Sequence, residues 1–272
     1  MAGPSPITLC GSLSLFASPV GAAMHNAGYR ELGLAFTYVP FSLEETQLAD
    51  ALIGMRALGI RGFGVSMPFK LSIMPLLDEI DPLARAIGAV NTVVNEHGKL
   101  VGHNTDAWGA VRALEEVRSV AGRQVLVLGA GGAARAVAFG LAEAGAHVSV
   151  ANRNQTKAEE LVAELAGGAA QAVPLDTALG REPEILVNAT SVGMESNPGQ
   201  PIPAESVPGS TLVMDIVYKP LITAWLERCR ARGNPVVHGG RMLLHQAARQ
   251  FQLYTEREAP LTAMDRALRE FV

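Results

Sequence analysis

Short apolar runs alternate with amphipathic stretches along the chain, a pattern typical of α/β proteins. In the first half this pattern predicts strands over residues 7–10, 36–39 and 62–67, and a hairpin of residues 89–95 and 99–101. In the second half it predicts strands over residues 124–128, 147–151, 184–188, 211–216 and 236–237. A Gly/Ser loop is expected directly after the first strand, at residues 11–18.

Capping residues indicate where helices begin. Ser18 and Pro19 predict a helix that reaches Tyr29, residues 42–45 are interpreted as a capping box with Ser42 at the N-cap, and Asp81 opens a short helix. Further helices are predicted after the loop at 129–134 as far as residue 145, and over residues 221–232, 242–254 and 261–272. A domain boundary is predicted near Asp106, and the last two helices are expected to pack on the first domain.

Composition narrows the function classes. Apolar residues make up 49% of the chain and charged residues 18%, which is typical of a folded globular protein. A net charge of −4 provides no electrostatic basis for binding nucleic acid or an anionic membrane. No apolar stretch is long enough to span a membrane and the first residues lack the features of a secretory signal, so a cytoplasmic protein is expected. Cys10 and Cys229 are expected to be buried, unpaired thiols, and the scattered histidines predict no metal site.

A glycine-rich loop lies between a predicted strand and a predicted helix. Gly129, Gly131 and Ala134 satisfy the G-x-G-x-x-G/A spacing, and Gly132 adds room. Glycines let the backbone approach a pyrophosphate, while the open N–H groups of the helix face it. The loop is therefore predicted to bind a dinucleotide, and an ordinary tight turn between strand and helix is the alternative.

The end of the next predicted strand indicates NADP rather than NAD. NAD sites usually carry Asp or Glu there for the ribose 2′-hydroxyl, whereas this chain has Asn152, Arg153 and Asn154, followed by Lys157. Arg153 can pair bidentately with a 2′-phosphate. Alternatively, Arg153 and Lys157 only flank a solvated helix start, where cations oppose the helix dipole. Residues 188–193 close a later strand and either line the cofactor crevice or form an ordinary polar turn.

Lysine is scarce, which draws attention to Lys70. The 22 basic residues include only four lysines, at positions 70, 99, 157 and 219. Oxidation of a secondary alcohol needs a group that accepts the hydroxyl proton, and lysine can do this where arginine cannot. Lys70 follows a predicted strand, and Asp106 lies at the predicted domain boundary. The alternatives are a surface lysine and an aspartate that caps the helix beginning at Ala107.

Eight segments together resemble the shikimate dehydrogenase family over essentially the whole chain, and the similarity is greatest to its divergent, shikimate-dehydrogenase-like branch. The segments are residues 64–70, 88–92, 102–106, 129–133, 152–153, 188–193, 215–218 and 242–247. One such segment alone would be weak evidence for the family, but eight segments in the family's order are a specific match. The resemblance implies an N-terminal α/β substrate-binding domain of residues 1–105 plus 240–272. It also implies a Rossmann-type, doubly wound NADP-binding domain of residues 106–239.

The resemblance also implies an activity, the NADP-dependent interconversion of shikimate and 3-dehydroshikimate on the route to chorismate and aromatic amino acids. It assigns Lys70 as the proton-transfer residue and Asp106 as its partner. Substrate ligands are expected to be Ser66, Asn91, Tyr218 and Gln246. Cofactor ligands are expected to be Gly129, Ala130, Gly131, Gly132, Ala133, Asn152, Arg153, Thr190 and Ile216, with Lys157 added by the charge argument above.

Two departures from the family pattern bear on the substrate. The family's first loop reads His-Ser-x-Ser-Pro, and its serines bind the substrate carboxylate. Here the loop is longer and lacks the histidine; Ser12 and Ser14 keep the spacing and are the expected ligands, with Ser18 as the substitute. Arg241 stands where a cofactor-facing glycine is expected, and either crowds the nicotinamide or reaches an anionic group.

These departures keep other functions open. Quinate or an amino-substituted ring acid is an alternative substrate, because pocket specificity is not legible from sequence. A protein that binds NADP(H) or a ring acid with little turnover is a second alternative. The expected partner is a small hydroxy acid, without nucleic acid or membrane, and the chain is expected to be a monomer or a homodimer.

Overall fold

The structure is a computed structural model that describes residues 6–165 and 170–271. The predicted alternation of strands and helices is confirmed, and the chain divides into two compact units, each built around a six-stranded sheet. The first unit combines the residues up to Thr105 with Gln246–Phe271, and the second runs from Asp106 to His245. The substrate-binding and cofactor-binding roles of the predicted domains stay predictions.

The first unit has a mixed sheet. Its strands are β1 (Thr8–Ser14), β2 (Phe36–Ser42), β3 (Gly62–Val65), β4 (Glu79–Ile80), β5 (Thr92–Glu96) and β6 (Lys99–His103). Its helices are α1 (Pro19–Glu31), α2 (Leu48–Ala57), α3 (Phe69–Ser72), α4 (Pro82–Ile87) and α10 (Leu261–Arg269). The strand order is β2-β1-β3-β5-β6-β4, with β1 parallel to both β2 and β3. Since the chain turns to either side of β1, the carboxyl ends of β1 and β3 mark a switch point.

The second unit has a sheet in which all described strand pairs are parallel. Its strands are β7 (Gln124–Leu128), β8 (His147–Ala151), β9 (Ala170–Ala172), β10 (Ile185–Asn188), β11 (Leu212–Asp215) and β12 (Val236–His238). Its helices are α6 (Gly132–Glu143), α7 (Gln155–Glu164) and α8 (Ala224–Ala231). The order β12-β11-β10-β7-β8-β9 is that of the doubly wound dinucleotide-binding fold, whose switch point lies between β7 and β10. The chain passes between the units within α5 (Thr105–Glu115) and α9 (Gly239–Thr255).

Several local predictions are confirmed by their hydrogen bonds. Asp81 caps α4, because its carboxylate accepts from the backbone N–H groups of Leu83 and Ala84. The hairpin turn between β5 and β6 places His97 at φ 55° and Gly98 at φ 97°, and the Asn95 side chain accepts from the Gly98 amide. Ser18 occupies the N-cap of α1, but its side chain makes no capping hydrogen bond.

Other local predictions are wrong. Ser42 does not cap a helix, because it ends β2; the capping box pairs Glu44 with Gln47 instead. The loop predicted at residues 11–18 begins later, because β1 continues to Ser14 by pairing with β2. The alternative interpretation of Asp106 as an N-cap is also excluded, since α5 starts at Thr105 and places Asp106 in its first turn. The sequence pattern also missed the short elements α3, β4 and β9, which are too short for a periodicity to register.

The last two helices pack against the first unit, as expected. Gly28 of α1 lies so close to Phe251 of α9 that an added Cβ would approach its ring to 2.8 Å, and Met264 of α10 lies on the same spot. The final helix ends at Arg269, and Val272, predicted to belong to it, lies outside the described residues. Cys10 and Cys229 are buried and unpaired, as expected. No described helix is both long and apolar enough to cross a membrane.

Candidate active site

The glycine-rich loop lies at the switch point of the second sheet. It connects β7 to α6, and Gly129 has φ +113°, where an L side chain is strained. A Cβ at Gly129 would lie 3.0 Å from the Ala189 carbonyl oxygen, so the loop packs directly against the chain that follows β10. Above Gly131 and Gly132 there is open space, and no side chain caps the first turn of α6. These features fit a pyrophosphate at the helix N-terminus.

A crevice of about 230 Å³ adjoins this loop. Its walls come from the loop itself, from the ends of β8 and β10, and from two further segments; the lining residues are Leu128–Gly131, Ala151–Arg153, Leu175, Ala189–Val192 and Pro201. Arg153 is exposed at its rim, and Asn152 is held by a hydrogen bond from its side-chain amide to the Asn154 carbonyl (2.9 Å). Asn154 caps α7 through the Lys157 amide, which places Lys157 in the first turn of that helix. A cation at each of these positions favours an anionic group on the ligand.

A buried polar network supports the far wall of the crevice. The Asn188 carbonyl oxygen Oδ1 accepts from the Thr190 amide (3.1 Å) and the Thr190 hydroxyl (2.7 Å). The Asn188 amide nitrogen donates to Asp215 Oδ1 (3.0 Å), and the Thr223 hydroxyl donates to Asp215 Oδ2 (2.7 Å). Burial raises the pKa of Asp215 to about 6, although these donors oppose the rise. The hydrogen bonds of Asn188 thus orient Thr190, which lines the crevice.

In the first unit, two predicted substrate ligands belong to one hydrogen-bonded cluster. Asn91 is buried and donates to the Thr105 hydroxyl (3.0 Å) and to Gln246 Oε1 (3.5 Å). The Thr105 amide donates back to Asn91 Oδ1 (2.7 Å). Both Asn91 and Gln246 are therefore held in fixed orientations, which is what ligand recognition by amides requires.

This cluster continues into the core through Gln250. The Gln250 amide donates to the Asn91 carbonyl (3.3 Å) and to the Thr92 hydroxyl (3.0 Å), and its Oε1 lies 3.3 Å from His25 Nε2. His25 is fully buried and stacks on Tyr38 with ring centroids 4.3 Å apart. Burial lowers the pKa of His25 to about 4, so this histidine is neutral at pH 7.

Lys70 lies next to this cluster along the backbone. It belongs to the single turn α3, and its carbonyl accepts from the Val90 amide (2.9 Å), directly before Asn91. Ser66 follows β3, is exposed, and its amide donates to Leu13 at the end of β1 (3.0 Å). Asp106 directly follows Thr105 and is the first residue of the second unit. A paired role for Lys70 and Asp106 belongs to the proposal below.

The hydroxyls of the first loop differ from expectation. Ser12 and Ser14 lie in β1, and the Ser14 hydroxyl donates to the Phe16 carbonyl (2.9 Å). Ser12 lies beside the Tyr38 hydroxyl, whose pKa is raised by burial, a rise that Ser12 opposes in part. Ser18 is exposed ahead of α1. The sequence spacing therefore did not reveal that strand pairing draws both serines into the sheet.

Arg241 has a carboxylate partner within its own unit. Its guanidinium Nε donates to Glu116 Oε2 (2.7 Å), and His245 Nε2 lies 2.8 Å from Glu116 Oε1. Burial alone raises the pKa of Glu116, but the hydrogen bonds and charges of Arg241 and His245 outweigh it and lower that pKa. The anionic group that Arg241 reaches in the structure is thus a protein side chain.

Sequence reasoning assigned no role to three of the residues that support the site from behind, which are His25, Thr223 and Gln250. Four others, Thr92, Thr105, Asn188 and Asp215, lie in segments that carry the family resemblance, but the hydrogen bonds they make were not predicted. Asn188 and Asp215 lie at the carboxyl ends of parallel strands, where ligand sites of such sheets are found, so the sequence could have indicated them. His25 and Gln250 carried no such signal, because they meet only when α9 packs against α1.

The second unit, a doubly wound sheet with a glycine-rich loop at its switch point, belongs to the dinucleotide-binding class. Family models match parts of both units. One described as "Shikimate dehydrogenase substrate binding domain" matches residues 15–93. Those described as "Shikimate / quinate 5-dehydrogenase" and "Shikimate 5'-dehydrogenase C-terminal domain" match residues 112–196 and 239–269. The chain belongs to the shikimate dehydrogenase family.

Individual relatives agree with this. The chain is 43% identical over 274 residues to the shikimate dehydrogenase (NADP(+)) of Moorella thermoacetica, covering 96% of this chain and 93% of the relative. The shikimate dehydrogenase of Thermus thermophilus, solved with NADP(H) and shikimate, is 38% identical with a TM-score of 0.89 over 98% of this chain and 100% of that chain. The 5-ketofructose reductase of Gluconobacter is 35% identical with a TM-score of 0.91, covering 99% of this chain and 100% of that one.

Proposed function

We propose that this protein catalyses the reversible, NADP-dependent oxidation of shikimate to 3-dehydroshikimate. The observation that carries the proposal is the Gly129 loop at the switch point of a Rossmann sheet, in a chain 43% identical to a shikimate dehydrogenase (NADP(+)). Gly129, Ala130, Gly131, Gly132 and Ala133 cradle the pyrophosphate, and Thr190 and Ile216 line the nicotinamide end. Asn152, Arg153 and Lys157 bind the ribose 2′-phosphate.

NADP, when bound, would supply the acceptor for the hydride that leaves the carbinol carbon of the substrate with its electron pair. Lys70 takes the proton of the substrate hydroxyl, so the C–O single bond becomes a carbonyl and charge balances. In the reverse direction Lys70 returns that proton. Asp106 contacts the same hydroxyl and holds it toward the amine. Ser66, Asn91, Tyr218 and Gln246 bind the remaining polar groups of the ring.

The test is a kinetic comparison of lysine variants. NADPH formation is measured with shikimate and NADP for wild type, Lys70→Ala, Asp106→Asn and the control Lys99→Ala. Lys99 forms an exposed ion pair with Glu79 in the same unit, so its loss removes a lysine without touching the site. Lys70→Ala is expected to lower kcat by a factor of about 100 or more, the usual worth of a general base, and to leave NADPH binding unchanged. Near-normal turnover in Lys70→Ala disproves the assignment.

Substrate alternatives are separated in the same assay. Quinate and an amino-substituted ring acid are offered beside shikimate, each with NADP and with NAD. Tight binding of shikimate or NADPH with negligible turnover of all three acids supports a binding protein instead. We further expect the enzyme to reside in the cytoplasm, where NADP(H) is available to it.

A second candidate function is reduction of an uncharged polyhydroxylated ketone. Ser14, one of the expected carboxylate ligands, already donates its hydroxyl to the Phe16 carbonyl, and Ser12 lies beside Tyr38. The first turn of α1 begins Pro19-Val20-Gly21 and carries no hydroxyl, which leaves Ser18 at the N-cap as the exposed hydroxyl of this segment. A ring acid would therefore find few ligands for its carboxylate here, whereas a neutral ketone needs none. The similarity to the Gluconobacter 5-ketofructose reductase supports the same idea.

One variant separates the two candidates. A Cβ at Gly21 would make only ordinary contacts with Tyr38, at 3.8 and 3.9 Å, so Gly21→Ser adds a hydroxyl to the first turn without a clash. NADPH oxidation is followed with 3-dehydroshikimate and with 5-ketofructose, for wild type and Gly21→Ser. The second candidate predicts that wild type prefers the ketose and that Gly21→Ser improves kcat/KM for the ring acid alone. A wild-type preference for 3-dehydroshikimate rejects it.

A further inference from the structure

Asp215 is a buried acid to which the proposed reaction assigns no role. It ends β11 with no solvent exposure, and among the described residues it pairs with no cation. Burying a carboxylate without a counter-charge is costly, and a buried acid of this kind next to a crevice is a candidate for a functional role.

The hydrogen bonds of Asp215 tie together the two chain segments that leave the sheet at the crevice. Its Oδ1 accepts from the Asn188 side chain at the end of β10 (3.0 Å) and from the Val217 amide after β11 (3.1 Å). Its Oδ2 accepts from Thr223, the N-cap of α8 (2.7 Å). Both oxygens act only as acceptors, and every partner is a donor.

This arrangement fixes which way the Asn188 amide points. Because its nitrogen faces Asp215 Oδ1 and the Val192 carbonyl (3.0 Å), its oxygen must face the amide and hydroxyl of Thr190. The hydrogen bond from the Val217 N–H to Asp215 likewise fixes the turn that begins at Ile216. The carbonyl group of Ile216 packs directly against Gly239. One carboxylate thus sets the position of both Thr190 and Ile216.

We propose that Asp215 is a positioning residue for the cofactor, whose ionised carboxylate orients Thr190 through Asn188 and the Ile216 turn through Val217. The proposal rests on NADP binding in this crevice. Asp215 itself touches neither cofactor nor substrate in this role. Its neutral form would replace one acceptor by an O–H donor, and one of the three donors would lose its partner.

If Asp215 has this role, cofactor affinity depends on pH. Burial raises the pKa of Asp215 to about 6, so cofactor affinity should fall as the pH decreases through that value. The groups that face Asp215 are Asn188 of β10, Thr223 before α8, the Val217 amide and the Gly193 loop. Among titratable groups, the Cys229 thiol of α8 lies close enough to interact with the charge of Asp215. Burial raises the pKa of Cys229 to about 11, so this thiol stays neutral over the tested range.

The experiment measures the Kd of NADPH by its fluorescence from pH 7.5 to pH 5, for wild type and Asp215→Asn. The 2′-phosphate of the cofactor also titrates near pH 6, but it does so with both proteins, so the difference between the two curves reports Asp215. If only the ionised form is competent, the wild-type Kd rises about tenfold more than that of Asp215→Asn over this range. Asp215→Asn should bind several-fold more weakly at pH 7.5. Equal Kd values and equal slopes overturn the proposal.

Threonine variants keep the test independent of the folding of Asp215→Asn. Thr223→Val removes a donor that lowers the pKa of Asp215, so the midpoint of the affinity loss should move to higher pH. Thr223→Ser retains that donor and should keep the wild-type midpoint. An unmoved midpoint in Thr223→Val overturns the proposal. If the wild-type protein binds no NADPH at any pH, the proposed function itself is rejected. Equal Kd values for wild type and variants would overturn only the role of Asp215.

Discussion

The buried histidine of the first unit makes its stability depend on pH in a defined direction. His25 is fully buried among aromatic rings, and burial lowers its pKa from 6.5 to about 4. Unfolding releases the ring into water, where it takes up a proton below pH 6.5. The stability that the neutral ring provides is therefore complete above pH 6.5 and is lost as the pH falls toward 4.

The magnitude follows from the same two values. A difference of 6.5 against about 4 corresponds to about 3 kcal/mol in total, at about 1.4 kcal/mol per unit of pKa. About 2 kcal/mol of this loss falls between pH 7 and pH 5. At an m value of about 2 kcal/mol per M, the urea midpoint of the first unit should drop by about 1 M.

The variant His25→Gln isolates this effect. Glutamine keeps an N–H donor for Gln250 but cannot titrate, so the variant should be less stable at pH 7 and show a flatter pH dependence. Because Trp108 and Trp225 both lie in the second unit, the assay uses hydrogen exchange of the α1 peptide, residues 19–31, across a urea series. The reasoning is refuted if His25→Gln loses as much stability between pH 7 and pH 5 as the wild type does.

Three further predictions concern the second unit. The stability contribution of Asp215 has the opposite pH dependence to that of His25. Because burial raises its pKa from 3.8 to about 6, the contribution is complete below pH 3.8 and is lost as the pH rises through about 6, so Asp215→Asn should flatten this trend in hydrogen exchange of β7. Arg153→Ala should weaken NADPH binding by about 10- to 100-fold, the worth of lost charged hydrogen bonds, with NADH binding unchanged; equal losses for both cofactors would contradict a 2′-phosphate contact. Gly129→Ala forces a side chain into φ +113° against the Ala189 carbonyl, and should cost about 1–3 kcal/mol in thermal unfolding while weakening NADPH binding.

Local patterns predicted the second unit well. The strand predicted at residues 124–128 is β7 and that at 147–151 is β8, because both are mostly apolar segments that are buried after their first residue. The loop at Gly129 could be predicted because the glycine spacing that its backbone conformation requires falls within six consecutive residues. The helix cap at Asp81 could be predicted because it too depends only on neighbouring residues.

The first loop shows where a local pattern misleads. Residues 11–14 contain glycine and serine, which are typical of a loop, yet they pair with β2 and β3 as part of β1. Ser42 likewise fits a helix cap by composition but ends a strand. In both places pairing with distant strands overrides the local preference. This single error placed Ser12 and Ser14 in a loop, whereas they lie in β1; their role as carboxylate ligands stays a prediction.

The sequence alone determined those features that depend on neighbouring residues: the alternation of elements, the dinucleotide loop and the cations that follow β8. Tertiary structure decided which polar groups meet. Asn188 and Asp215 are 27 residues apart, and His25 and Gln250 are 225 apart. Such pairs form only when strands align and helices pack, because a buried donor must find an acceptor wherever the fold brings one. For that reason the support beneath Thr190 and Asn91 became visible only in the folded chain.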